Sequence, residues 1–229
     1  MNATDIGIAA SLAVLTTALG ALAARGFARF VRNRVRIQLM WGLGLAFATV
    51  ATGVELVVFL GVVSGPLLET YVFLSAAIVG FLSLGSTQVI RNTVFRRSYT
   101  AYILATCAAV AVLSFTTPLP NSMVTSGVIS GNPPLELLVV SSLVTVPATL
   151  VLLAAVVVAL RRSWKWQTLM MGVGACVLAA GGALYIASFP VALYYSEFIG
   201  IVLIFFGLVS LPHLATSPAS AARSLSKSG

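Results

Sequence analysis

The chain has 229 residues, of which 59% are hydrophobic and 8% charged, with a mean hydropathy of +1.07. A soluble domain carries roughly 25% charged residues. So few charges cannot build a water-facing surface, and most of the surface must meet lipid. The net charge of +8 does not indicate a nucleic-acid partner, because the cations form short clusters between long apolar runs instead of tracking a phosphate groove.

The first residues, Met1 to Asp5, lack the basic stretch of a secretory signal, and the apolar run behind them is long enough to span. It reads as a retained first helix. Asn2-Ala3-Thr4 matches a glycosylation sequon but sits so close to the bilayer that chance is the plainer explanation.

A spanning helix needs about 20 mostly apolar residues. Seven runs qualify, at about 5–24, 37–63, 67–90, 100–118, 135–160, 167–189 and 191–212. The connection after the first carries Arg25, Arg29, Arg32, Arg34 and Arg36. The one after the third carries Arg91, Arg96 and Arg97, and the one after the fifth Arg161, Arg162 and Lys165. Arg223 and Lys227 lie in the tail. If all seven runs span, all thirteen cations fall on one side, and one helix more or fewer would scatter them. The positive-inside rule then puts the amino terminus outside and the carboxyl terminus in the cytoplasm of a cell (plasma) membrane crossed many times.

The expected fold is therefore all-α, a seven-helix transmembrane bundle over 1–216 with a Ser- and Ala-rich disordered tail at 217–229. Trp41, Trp164 and Trp166 stand at the inner helix ends, where indoles anchor. The basic face is expected to meet anionic lipid, and a homo-oligomer or a partner subunit within the membrane stays open. The longest link, Pro118 to Pro134, is outer and uncharged, and reads as a surface loop before it reads as a lid.

The first three runs answer the last three at a nearly constant offset. Ser11-Leu12 matches Ser142-Leu143, Met40-Trp41-Gly42-Leu43-Gly44 matches Met170-Met171-Gly172-Val173-Gly174, and Glu69 matches Glu197. Leu82-Ser83-Leu84 matches Val209-Ser210-Leu211. A three-helix unit starts outside and ends inside, so a fourth helix must intervene before it repeats. The reading is a parallel 3+1+3 plan, with halves about 5–97 and 135–213 and a linking helix about 100–118.

Only five acids exist: Asp5, Glu55, Glu69, Glu136 and Glu197. Asp5 and Glu136 sit at outer helix starts, where a carboxylate complements the helix dipole. Glu55 and Glu197 fall inside spans, where an ionisable group costs about 2.5 kcal/mol or more and faces the bundle interior. Helical spacing places Gly44, Ala48, Ala51 and Thr52 on the Glu55 face, and Ala76, Gly80, Ser83 and Thr87 on that of Glu69. Gly200, Ile204 and Gly207 share the face of Glu197. These faces are mostly small or polar, as packed faces are. The candidate site is an outward-opening acidic cavity lined by Glu55, Glu69 and Glu197, with Tyr71, Tyr185, Tyr194 and Tyr195 near it, suited to a cation or to protons. The competing reading makes the tyrosines an outer aromatic belt and pairs each glutamate locally.

Other chemistry is poorly supplied. Cys107 and Cys176 lie apart within apolar runs, and His213 is the only histidine, so no metal site or cofactor is expected. No HExxH, GxSxG, Walker or paired-aspartate motif occurs, and the chain does not read as an enzyme.

Seven helices with an outer amino terminus look like a microbial rhodopsin. That family's Schiff-base lysine is missing from Val191 to Pro212, so a retinal pigment is excluded. The Pro-Gln signature of SWEET-type transporters and the signatures of trimeric cation channels are missing too. The stretch from Glu69 through Leu82-Ser83-Leu84-Gly85-Ser86 to Arg96-Arg97 resembles helix three of uncharacterised prokaryotic seven-helix membrane proteins. That resemblance covers about a seventh of the chain and implies no activity. Function is therefore read as a transporter or channel for a small solute, cation or proton. A receptor-like sensor and an accessory subunit of a membrane complex are the alternatives. Pro147 in the fifth run has only Thr16 opposite it, so the paired broken helices of many transporters are not seen.

Overall fold

The computed structural model describes residues 3–162 except 35, 88, 89, 91, 126 and 130–132, and beyond them only positions 166, 169, 170, 172–174, 176, 177, 199, 200, 202 and 203. Five long apolar helices run through that part: α1 Ala3–Asn33, α2 Arg36–Phe59, α3 Gly65–Ser86, α4 Thr93–Thr116 and α5 Leu135–Arg162. Each is long and apolar enough to cross a membrane. The protein is a mostly helical membrane protein. Of the sixth and seventh runs only those scattered positions are described, so the second half of the repeat is described through α5 alone.

Two boundaries differ most from those expected. Hydropathy marks where a helix is apolar, not where it stops. The first helix continues nine residues past position 24, so Arg25, Arg29 and Arg32 ride on α1 itself and only Arg34 stands between helices. The fourth starts at Thr93 instead of 100, because Asn92 caps it: its Oδ1 accepts from the backbone N–H of Val94 at 3.0 Å and of Phe95 at 3.1 Å. Arg96 and Arg97 thereby fall near the start of α4 and Arg36 opens α2.

The other ends follow from local chemistry. Past α2, Gly61 takes a φ of +95°. Its N–H donates to the Val58 carbonyl at 2.9 Å and that of Val62 to Val57 at 3.2 Å. This glycine closure satisfies carbonyls the helix leaves open. Pro66 in the first turn of α3 costs nothing, since that N–H has no intrahelical acceptor. Arg34 ends α1 with a φ of 54°, which a side chain disfavours, and its N–H donates to the Phe30 carbonyl at 2.7 Å.

Successive helices run antiparallel, as their meeting points show. Gly26 meets Gly42 and Gly20 meets Thr49 between α1 and α2. Trp41 meets Gly85 and Leu82 meets Gly44 between α2 and α3, and Gly80 meets Ile103 and Cys107 of α4. The α3 helix is central, packed against α2, α4 and α5. It bears the faces expected of it, since Ala76, Gly80, Ser83 and Thr87 are all buried. Among the described elements α1 packs mainly on α2, through Leu15, Leu19, Leu22 and Ala23 against Leu45 and Ala48. Ile6, Val14, Val50, Leu104, Val112 and Leu150 remain exposed, as side chains that meet lipid do.

Pro147 in the middle of α5 has no N–H for the Leu143 carbonyl one turn earlier. The Tyr102 hydroxyl of α4 donates to that oxygen at 2.6 Å instead. A neighbouring helix thus supplies the bond that proline removes, a condition for proline inside a membrane helix.

The antiparallel order brings every described arginine to one end of the bundle, the basic end. Asp5, Glu69 and Glu136 go to the opposite end. There the connection between α4 and α5 is not the surface loop expected. Its 3-10 turn, Asn121–Met123, leads into a short antiparallel hairpin, β1 Val124–Thr125 with β2 Val128–Ile129. Met123 and Ile129 are buried in the same apolar core as Val54, Val58, Leu68, Tyr71, Val110 and Leu137. Apolar side chains in an uncharged loop gain more by burial than by facing water, and these plug the helix ends. Gly127, at φ +76°, lies against the Phe59 backbone at the end of α2.

Candidate functional site

Glu55 belongs to a polar ladder on α2. Thr49, Thr52 and Glu55 recur every third residue, close enough to helical period to stay near one face. Thr52 is buried and its hydroxyl donates to the Ala48 carbonyl at 3.0 Å. The Thr16 hydroxyl of α1 donates to Thr52 Oγ1 at 3.1 Å. One turn above that pair, four residues short of the end of α2, stands Glu55, 3% exposed. Gly44, Ala48, Ala51 and Thr52, predicted to share its face, are all buried with it.

Among the described residues the Glu55 carboxyl is held on one side only. The hydroxyl of Tyr71, buried on α3, donates to it. Its Oε2 is enclosed and has no hydrogen-bond partner among the described residues. Val54, Val58, Leu68 and Leu74 of the surrounding core offer no donors. An acid in such a place is expensive, and no described group offsets that cost at its second oxygen.

The other predicted residues are placed as follows. Glu69 lies one turn inside α3, half-buried, with its Oε1 turned back toward Gly65 at the helix start. Asp5 and Glu136 stand in the first turns of α1 and α5. Glu197, Tyr185, Tyr194 and Tyr195 lie outside the described residues, so of the expected group the structure brings together Glu55 and Tyr71. Among the described residues no three His, Cys, Asp or Glu side chains gather as metal ligands would. Cys107 is buried and Cys176 exposed, and each is a free thiol.

At the other end of α3, Ser83 and Tyr99 share a hydrogen bond of 2.8 Å, both buried, and Phe95 stacks on Tyr99 with centroids 5.7 Å apart. This pair closes the bundle toward the basic end. Along that end Arg25, Arg32, Arg34, Arg36, Arg97 and Arg161 are exposed, Arg29 and Arg96 half-buried, and Arg34 lies over the Phe30 ring at 5.9 Å. Arg25, Arg29 and Arg32 follow helical spacing and form a stripe along α1, suited to phosphate oxygens. Arg162 ends α5, and Arg91 and Lys165 lie outside the described residues.

Sequence reasoning passed over two further enclosed hydroxyls, on α4 and α5. Ser114 on α4 and Ser141 on α5 each enclose an Oγ with no partner among the described residues. The available signal was their position on apolar stripes, Tyr99-Ile103-Cys107-Val110-Ser114 and Leu137-Ser141-Val144-Ala148. No family model, curated protein or solved structure matches this chain.

Proposed function

We propose that this is a seven-helix protein of the plasma membrane that carries protons or a small cation, as a transporter or channel, with Glu55 as its central group. The observation that carries the reading is the buried Glu55 carboxyl, bonded to Tyr71 and with its Oε2 enclosed and unpartnered among the described residues. Ionisable groups inside spans are costly enough that they mark ion paths and proton relays. Segregation of the described arginines to the basic end supports an inner basic face and an outer amino terminus. The offsets between the first and last three runs support a parallel 3+1+3 repeat, which would bring Glu197 of the second half toward the same end of the bundle as Glu69.

The test is flux. Purified protein in sealed vesicles, with an internal pH dye and an imposed ion gradient, is expected to carry current that Glu55→Gln reduces at least tenfold and Glu197→Gln lowers. Flux equal to that of empty vesicles, or unchanged by both variants, would remove the reading.

A further inference from the structure

A stripe on α1 stands apart from the face that packs on α2. Val14, Ala18, Ala21, Arg25, Arg29 and Arg32 follow one another at steps of three and four residues, so they share one side of the helix. Leu15, Leu19 and Leu22, which meet α2, belong to another side. The stripe is uncovered: Arg29 is half-buried and the other five side chains are exposed. It changes character at Arg25, from low and apolar to wholly cationic. The described acids, Asp5, Glu55, Glu69 and Glu136, lie toward the opposite end of the bundle, so none of them balances these charges. The stripe is also held in orientation. Gly26 is seated so closely on α2 that a Cβ there would come within 3.2 Å of the Gly42 Cα.

The heights match one leaflet of a membrane. From Arg25 back to Val14 the helix rises about 16 Å, close to the roughly 15 Å of hydrocarbon in a single leaflet. Arg29 lies about 6 Å beyond Arg25, at the depth of the headgroup layer. We propose that this stripe binds one anionic phospholipid, its phosphate held by Arg25 and Arg29 and an acyl chain laid along Ala21, Ala18 and Val14. The planar guanidinium takes phosphate oxygens two at a time, which a lysine cannot do. Arg32, one turn further out, adds attraction without direct contact. The short side chains above Arg25 let a chain lie close to the helix and gain dispersion along its length. Charge selects a lipid over a second copy of this protein. Two copies in one membrane meet at equal heights, and pairing through this face would set each arginine against its own counterpart. The site is independent of Glu55 and of the ion-carrying reading.

The test titrates the full chain, purified in a mild detergent, with phosphatidylglycerol or with phosphatidylcholine. The unfolding temperature reports binding, and mass spectrometry of the intact protein counts the lipid retained. Phosphatidylglycerol is expected to raise the unfolding temperature by several degrees, as a ligand of the folded state does, and to stay on as a single molecule. Phosphatidylcholine should do neither. Arg25→Gln with Arg29→Gln is expected to weaken retention about fivefold or more. Arg97→Gln with Arg161→Gln removes the same charge from exposed sites on α4 and α5 and should leave retention nearly unchanged. Arg32→Gln alone, with a smaller loss expected, serves should the first pair not fold. Equal effects of the two lipids, or equal losses from the two arginine pairs, would reduce the stripe to general surface charge and overturn the proposal. A quantitative disulfide between copies at Ala18→Cys, made with Cys176 replaced, would seat a second copy there and overturn it too.

Discussion

Tyr102 illustrates how one hydroxyl can answer for one missing amide proton. Its bond to the Leu143 carbonyl exists because Pro147 cannot make it. Interhelical hydrogen bonds in membranes contribute about 0.6 kcal/mol on average and up to about 1.7, and an orphaned carbonyl brings this one toward the upper figure. Tyr102→Phe is therefore expected to destabilise by about 1 to 1.5 kcal/mol in a reversible unfolding assay. Pro147→Ala restores the N–H, so the same Tyr102 change should cost much less on that background; an additive double-mutant cycle would refute the coupling. Glu55 was legible in the sequence at this scale, because an acid inside an apolar run has few explanations. Ser114 and Ser141 were not, because serine in a membrane helix usually bonds its own backbone and carries no signal until the partner is seen to be missing.

At the scale of helices, contact is made through glycine. A Cβ on Gly44 would stand 2.9 Å from Leu82 Cδ2 and 3.3 Å from the Leu82 backbone nitrogen. The side-chain tip can move aside, but the backbone nitrogen cannot. Gly44→Ala should cost about 1 to 3 kcal/mol, the range for overpacking. Gly7→Ala on α1, with nothing within 4 Å, should be neutral or slightly stabilising through helix propensity. Equal melting shifts for the two would contradict the close α2–α3 approach. The five described spans were legible as apolar runs, and the packed faces of α2 and α3 as rows of small residues. The ends were less legible, since the Asn92 cap and the Gly61 closure depend on bonds that hydropathy does not register. The hairpin was missed for a related reason. Val124-Thr125 and Val128-Ile129 flanking a glycine are a turn signal that the reading of this uncharged, proline-flanked link as a surface loop did not use.

For the molecule as a whole, charge is the organising fact: the described helices alternate in direction and the described arginines still collect at one end. The orientation drawn from this predicts a labelling pattern. With exposed Cys176 replaced, an impermeant maleimide should modify Ser122→Cys beside the hairpin on intact cells. Arg97→Cys, at the start of α4, should react only after the membrane is opened. The reverse pattern would invert the topology.

The length of α1 bears on where such a molecule can live. At about 1.5 Å per residue, its 31 residues extend to roughly 46 Å, against a hydrocarbon layer of about 30 Å. The excess is not a frayed end, because Gly26 and Phe27 stay pressed against Gly42 of α2 just beyond Arg25. The two helices are therefore expected to leave the bilayer together as a stiff cationic spur. A thinner or thicker bilayer moves the water boundary along a rod that is helical on both sides of it. Mismatch is then expected to be absorbed by sliding and tilting instead of by unravelling, so that the basic end should tolerate bilayers of different thickness.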